Sequence, residues 1–224
     1  GGDFLYSELE LEAMLRDVAA VREAGAMGVA TGALARDGRV DREATARLRE
    51  TAGPLSFTFH RAFDMTRDPL EALDTLAELG VDRILTSGQA ASGAEGRPLL
   101  RALVRAAGDR IIVMPGACIR EESVGRILGR TGAREIHFTA LAWTESSMDH
   151  RNPHPRMGGT EVPGEYRRQV TDPARVRVDD LAPRGAPGSP EIVVRGLLHL
   201  GLERYRDIRI PAAMCGVVGL KATW

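Results

Sequence analysis

Five short apolar runs begin at residues 28, 55, 83, 110 and 134, spaced 27, 28, 27 and 24 positions apart. Between consecutive runs lies an amphipathic segment with helix-start and helix-stop residues. This repeat constrains the fold more than any other feature of the chain. Strands that alternate with helices at this period pair in parallel, because parallel neighbours need a crossover long enough to hold a helix. Both a (β/α)8 barrel and a doubly wound sheet satisfy the alternation, and the regular spacing favours the barrel.

The boundaries follow from turn and cap chemistry. Ser7 and Glu10 have capping-box spacing, and Leu11, Met14, Leu15, Val18 and Val21 recur at helical intervals, predicting a helix over Ser7–Ala24. Strands are expected over Gly28–Leu34, Leu55–Arg61, Arg83–Ser87, Arg110–Pro115 and Arg134–Ala140. Helices are expected near Asp41–Ala52, from Asp68-Pro69 to Gly80, over Glu95–Ala107 and over Glu121–Arg130. After Ala140 the regularity dissolves, with a short helical turn expected at Glu165–Val170. The fold class read from the sequence is therefore α/β: an incomplete TIM-type (β/α)8 barrel of about five parallel strands with helices, plus an irregular C-terminal tail.

Composition excludes several functions. Thirty basic residues against 31 acidic leave a net charge of −1, so no global field draws nucleic acid or anionic lipid. No run approaches the ~20 apolar residues of a membrane span. Two cysteines, Cys118 and Cys215, are too few for a disulfide framework and fit a cytoplasmic protein. Lys221 is the one lysine among the thirty basic residues, so the abundance of arginine says little about phosphate binding.

Alternation picks out the candidate site. In Leu55–Arg61 the bulky residues are 55, 57 and 59, while Ser56, Thr58 and His60 share the other face. In the last run Ile136 and Phe138 oppose Glu135, His137 and Thr139. Helices would cover the Phe and Ile side, which turns His60 and His137 into one barrel interior. Arg61 and Asp64 follow at the strand end, where a rim salt bridge is the plainer role. Thr86-Ser87-Gly88-Gln89 closes another strand in a small polar loop. Pro115-Gly116-Ala117-Cys118 leads a strand into a helix and can offer backbone N–H groups to an anion. Cys118 is more readily a packing residue than a ligand. His150 and His154 flank Asn152-Pro153, which argues against a helix, and no zinc spacing results. No residue is assigned to a metal.

Gly1-Gly2-Asp3-Phe4, Thr58–Asp64, Leu85–Gln89, Met114-Pro115-Gly116 and Glu135-Ile136-His137 together resemble the CutC family, in the same order along the chain. The resemblance covers about residues 1–171. It implies a TIM-type barrel and a copper homeostasis label, with copper as the candidate cofactor. The family barrel begins upstream of Gly-Gly-Asp-Phe, and the cysteines proposed to hold Cu(I) belong to those opening strands. The chain is thus expected to be N-terminally truncated, and the copper inference has no residues here to land on. The turn after Pro115 is also usually richer in glycine than Ala117-Cys118.

The tail from Ile208 to Thr223 resembles the segment after the nucleophile in amidase-signature enzymes. Tyr205-Arg206-Asp207 stands where that family has a Gly-Gly-Ser turn, and an aspartate cannot replace the serine in acyl transfer. Amidase activity is not expected. The expected organisation is a barrel-like unit at 1–171, a linker at 172–190 and an amidase-like remnant at 191–224.

Three functions remain open. The first is a pocket for a small anionic ligand, with or without catalysis by histidine, on His60, Arg61, Asp64, Thr86, Ser87, Gly116 and His137. The second is Cu(I) binding. The third is an inert fragment whose open sheet edges favour self-association, and so a homo-oligomer.

Overall fold

The computed structural model describes residues 2–138, 140–152, 154, 166–172 and 218–219. The expected linker beyond Asp172 and most of the amidase-like tail lie outside the described residues, as does Thr139.

The predicted alternation is present. Helix α1 (Glu8–Glu23) precedes β1 (Gly28–Thr31), followed by α2 (Arg42–Ala52) and β2 (Ser56–Phe59). A short 3-10 helix (Arg61–Met65) leads to α3 (Pro69–Glu78), β3 (Arg83–Thr86), α4 (Arg97–Ala107), β4 (Ile112–Pro115) and α5 (Glu121–Thr131). The start signals act as expected. The Ser7 hydroxyl accepts from Glu10 N–H while the Glu10 carboxylate accepts from Ser7 N–H at 2.7 Å. Asp41 caps α2 by accepting from Ala44 N–H, and Asp68 caps α3 ahead of Pro69.

Strands β1 to β4 form a parallel sheet in the order β4-β3-β2-β1, and β7 (Val218–Gly219) pairs in parallel with β1 at its outer edge. Register aligns Val29 with Phe57 and Phe59 with Ile84, and these side chains enter one core with Leu48, Leu73, Leu76, Leu100 and Leu103. That core joins helices α1 to α4 to a single face of the sheet. A doubly wound sheet would carry helices on both faces, so the arrangement is of the barrel type. The opposite face bears Ser56, Thr58, Arg83, Leu85, Ile112 and Met114. No helix among the described residues is long and apolar enough to cross a membrane.

Two expectations need correction beyond Gly132. Arg134–Phe138 is not a ladder strand. It runs extended beside β4 and is joined to it by His137 N–H donating to the Pro115 carbonyl at 2.8 Å. Its side chains still alternate, because Ile136 and Phe138 pack with Val124, Ile127 and Leu128 of α5. The fifth parallel strand of the sheet is instead the two-residue β7. The helical turn expected at Glu165–Val170 is also replaced: Arg167–Thr171 is β6, antiparallel to β5 (Leu141–Glu145). Pairing across the hairpin overrides local helix preference. The Arg167 guanidinium lies over the Trp143 ring, 5.5 Å from its centre, and its Nε is 2.8 Å from Glu145.

Candidate functional site

Strand β2 ends at Phe59, and the chain turns at once into the 3-10 helix. The His60 ring caps that helix: its Nδ1 accepts from Ala62 N–H at 3.2 Å, which places the ring proton of the neutral imidazole on Nε2. His60 is buried, with the Phe4 ring centre 5.0 Å away and the α-carbon of Gly32 close enough that an added Cβ would lie 3.0 Å from Nδ1.

One turn later Asp64 gathers the loop after β3. Its carboxylate accepts from Arg61 Nε at 2.7 Å, from the Thr86 hydroxyl, from Ser87 N–H at 3.0 Å and from Gln89 N–H at 3.1 Å. The Asp64 side chain is 6% exposed and that of Arg61 is 40% exposed. Arg61 also donates through Nη2 to the Ser87 hydroxyl at 3.2 Å. The rim salt bridge, the plainer alternative to a ligand-binding role for these two residues, is therefore present, and it is the smaller part of what Asp64 does. Thr86 is fully buried, and its hydroxyl also accepts from Gly88 N–H, so it holds the loop and does not face a ligand.

His137 enters from the extended segment beside β4. It is buried, and its Nε2 has no hydrogen-bond partner among the described residues. Burial pushes its pKa down to about 4, and the positive charge of Arg61 adds to the shift. The imidazole is neutral at pH 7, so it is a poor proton donor there. Gly116 N–H donates to the Thr86 carbonyl, and a Cβ at Gly116 would fall 2.5 Å from the Leu85 side chain and 3.5 Å from His137 Nδ1. The glycine lets β4 pass close beneath the histidine.

The next two residues carry the strain that glycine would relieve. Ala117 and Cys118 have φ of +70° and +52°, the left-handed region. The turn thus demands the backbone shape that a glycine-rich sequence supplies without cost, and two L-residues adopt it. Replacing Ala117 by glycine is expected to stabilise the chain by about 1 kcal/mol, read as a rise in the denaturation midpoint; a fall would show that the alanine methyl packs usefully.

The structure brings Arg61, Asp64, Thr86 and Ser87 together by direct hydrogen bonds and sets Gly116 against His137. His60 shares the face and is tied locally to the 3-10 helix. A charged cleft of ≈ 210 Å³ beside Arg39, Arg42 and Arg67 lies outside this group, and those arginines pair with Glu71, Glu78 and Asp37. Sequence reasoning missed Arg83, which forms a bidentate pair with Glu135 at 2.8 and 3.0 Å. The signal available was that Glu135 shares the polar face with His137.

Comparison with known proteins settles the family. The sequence matches the CutC family over residues 1–142. The chain belongs to the CutC family. It is 51% identical over 172 residues to a CutC family protein of Mesorhizobium japonicum, covering 77% of this chain and 67% of that one. It is 45% identical over 177 residues to the human copper homeostasis protein cutC homolog, covering 79% and 65%. The crystal structure of the putative copper homeostasis protein CutC from Streptococcus agalactiae matches with a TM-score of 0.59 at 32% identity, covering 61% of this chain and 67% of that one. The chain thus spans about two thirds of the length of these CutC proteins.

The names of these relatives raise copper, and the donor set can be tested against it. Among the described residues no three His, Cys, Asp or Glu side chains converge as a metal site. Cys118 is exposed, Met114 is buried on the sheet, and His60 Nδ1 is engaged by Ala62 N–H. Soft-metal ligation needs such donors to converge. These residues do not fit a copper ion.

Proposed function

We propose that this CutC-family chain binds a small oxyanion, of the phosphate or carboxylate class, at the carboxyl ends of β2 to β4. The observation that carries this reading is a half-exposed Arg61, locked by Asp64, acting on a buried neutral His137 whose Nε2 lacks a partner among the described residues. A guanidinium fixed through Nε keeps its other nitrogens in a set direction for an oxyanion. The main-chain N–H groups of Ala117 and Cys118 donate to no group among the described residues, and they directly follow Gly116, where an added Cβ would lie 3.5 Å from His137 Nδ1. Family position supports the placement, since sites of such barrels gather at the carboxyl strand ends.

Inorganic phosphate is the probe. Titration calorimetry on the full chain should show saturable binding, and Arg61→Ala should weaken it by roughly tenfold or more, the worth of one charge-assisted hydrogen bond. Equal affinity in Arg61→Ala, or no binding by the parent chain, would reject the reading. A parallel titration with Cu(I) against a bathocuproine-type chelator separates the metal alternative: one retained Cu(I) that is indifferent to Arg61→Ala would favour copper.

A further inference from the structure

We propose that Arg83 and Glu135 are positioning residues for His137: their ion pair spans the interior face of the sheet and fixes the segment that carries the histidine. The role in ligand binding rests on the oxyanion reading above, whereas the role in placing the ring does not.

Arg83 opens β3, and Glu135 stands two residues before His137, on the same face by the period of an extended chain. Nε and Nη2 of Arg83 donate to the two carboxylate oxygens of Glu135, and Nη1 donates to the Ser56 hydroxyl on β2. One guanidinium therefore ties β2, β3 and the 134–138 segment together across β4. The side chains are 10% and 15% exposed, so the pair is shielded from competing water. The segment needs such a tie. Its main-chain link to β4 among the described residues is the bond from His137 N–H to Pro115, and its apolar side chains hold only its opposite face, against α5. Slippage by one residue would turn His137 toward the helices. A buried ion pair stabilises a fold little better than apolar side chains of equal volume, while its bidentate geometry specifies one register.

The test follows the His137 imidazole by NMR titration in the full chain. In Glu135→Gln the ring should gain contact with water, so its pKa should rise by a unit or more from about 4 toward the ordinary value of 6.5. Arg83→Lys, which keeps the charge and loses the fork, should give a smaller rise. A folded Glu135→Gln with His137 titrating as in the parent overturns the proposal. Should that variant not fold, the apolar double variant Arg83→Met with Glu135→Met is measured by the same criterion; its own failure to fold assigns the pair to bulk stability and overturns the proposal too. Phosphate titration of each variant adds the ligand arm, where weaker binding is expected. If the parent chain binds no phosphate, the oxyanion reading fails alone, and the imidazole titration still decides the positioning role.

Discussion

Replacing Gly96 by alanine is expected to cost about 4 kcal/mol of folding free energy, in the range reserved for steric conflict with backbone. Gly96 has φ of −74°, so its conformation would suit any residue; space is what it lacks. A Cβ there would lie 1.8 Å from the Ser87 carbonyl oxygen and 2.9 Å from the α-carbon of Gly88. Neither neighbour is the end of a flexible side chain. Relief requires the start of α4 to move away from the loop after β3. Gly88 reports the same contact from the other side, since its own Cβ would fall 2.4 Å from the Gly96 carbonyl oxygen, at a φ of +74°. The displaced loop holds Ser87 and the N–H groups that bind Asp64, so phosphate affinity should fall together with stability. Urea denaturation monitored by circular dichroism checks the first effect, and calorimetry the second. A variant within 1 kcal/mol of the parent would mean that the loop and helix are not packed as described.

These contacts mark where sequence reading stops. The faces of Ser56–His60 and of Glu135–Phe138 were legible because alternation is a property of the extended backbone itself and needs no partner. The helix starts at Ser7, Asp41 and Asp68 were legible for a related reason: each cap lies within three residues of the N–H it serves. Whether residues 134–138 join a ladder depends on how closely β4 approaches, which no local pattern encodes. The hairpin of β5 and β6 pairs Leu141 with Thr171, and Arg83 reaches Glu135 across 52 positions. At the candidate site the residue types were visible but their division of labour was not. Asp64 and Thr86 read as ligand contacts from the sequence, whereas in space their oxygens are occupied by the protein's own donors. His60 likewise spends Nδ1 on its own 3-10 helix.

That division of labour makes Asp64 the more consequential half of its pair with Arg61. Asp64→Ala is expected to destabilise the chain by about 3–5 kcal/mol, the cost of leaving two or more buried donors without an acceptor at about 1–3 kcal/mol each. Five donors lose an acceptor together: Arg61 Nε, the Thr86 and Ser87 hydroxyls, and the N–H groups of Ser87 and Gln89. Arg61 is exposed enough to recover water, but Thr86 and Ser87 are fully buried and cannot. Asp64→Asn should do little better. The amide keeps one acceptor oxygen, and its NH2 group would face donors where the carboxylate presented a second oxygen. Arg61→Ala, by contrast, leaves Asp64 with the hydroxyl and main-chain donors of the loop after β3 and should change stability by far less, while abolishing most phosphate affinity. The two variants therefore separate the frame from the ligand contact. Thermal melts of all three should place Asp64→Ala and Asp64→Asn roughly 10 °C or more below the parent, with Arg61→Ala close to it. A reversal of that order would place the buried end of the network at Arg61 and undo the assignment of Asp64 as the residue on which the loop after β3 is built.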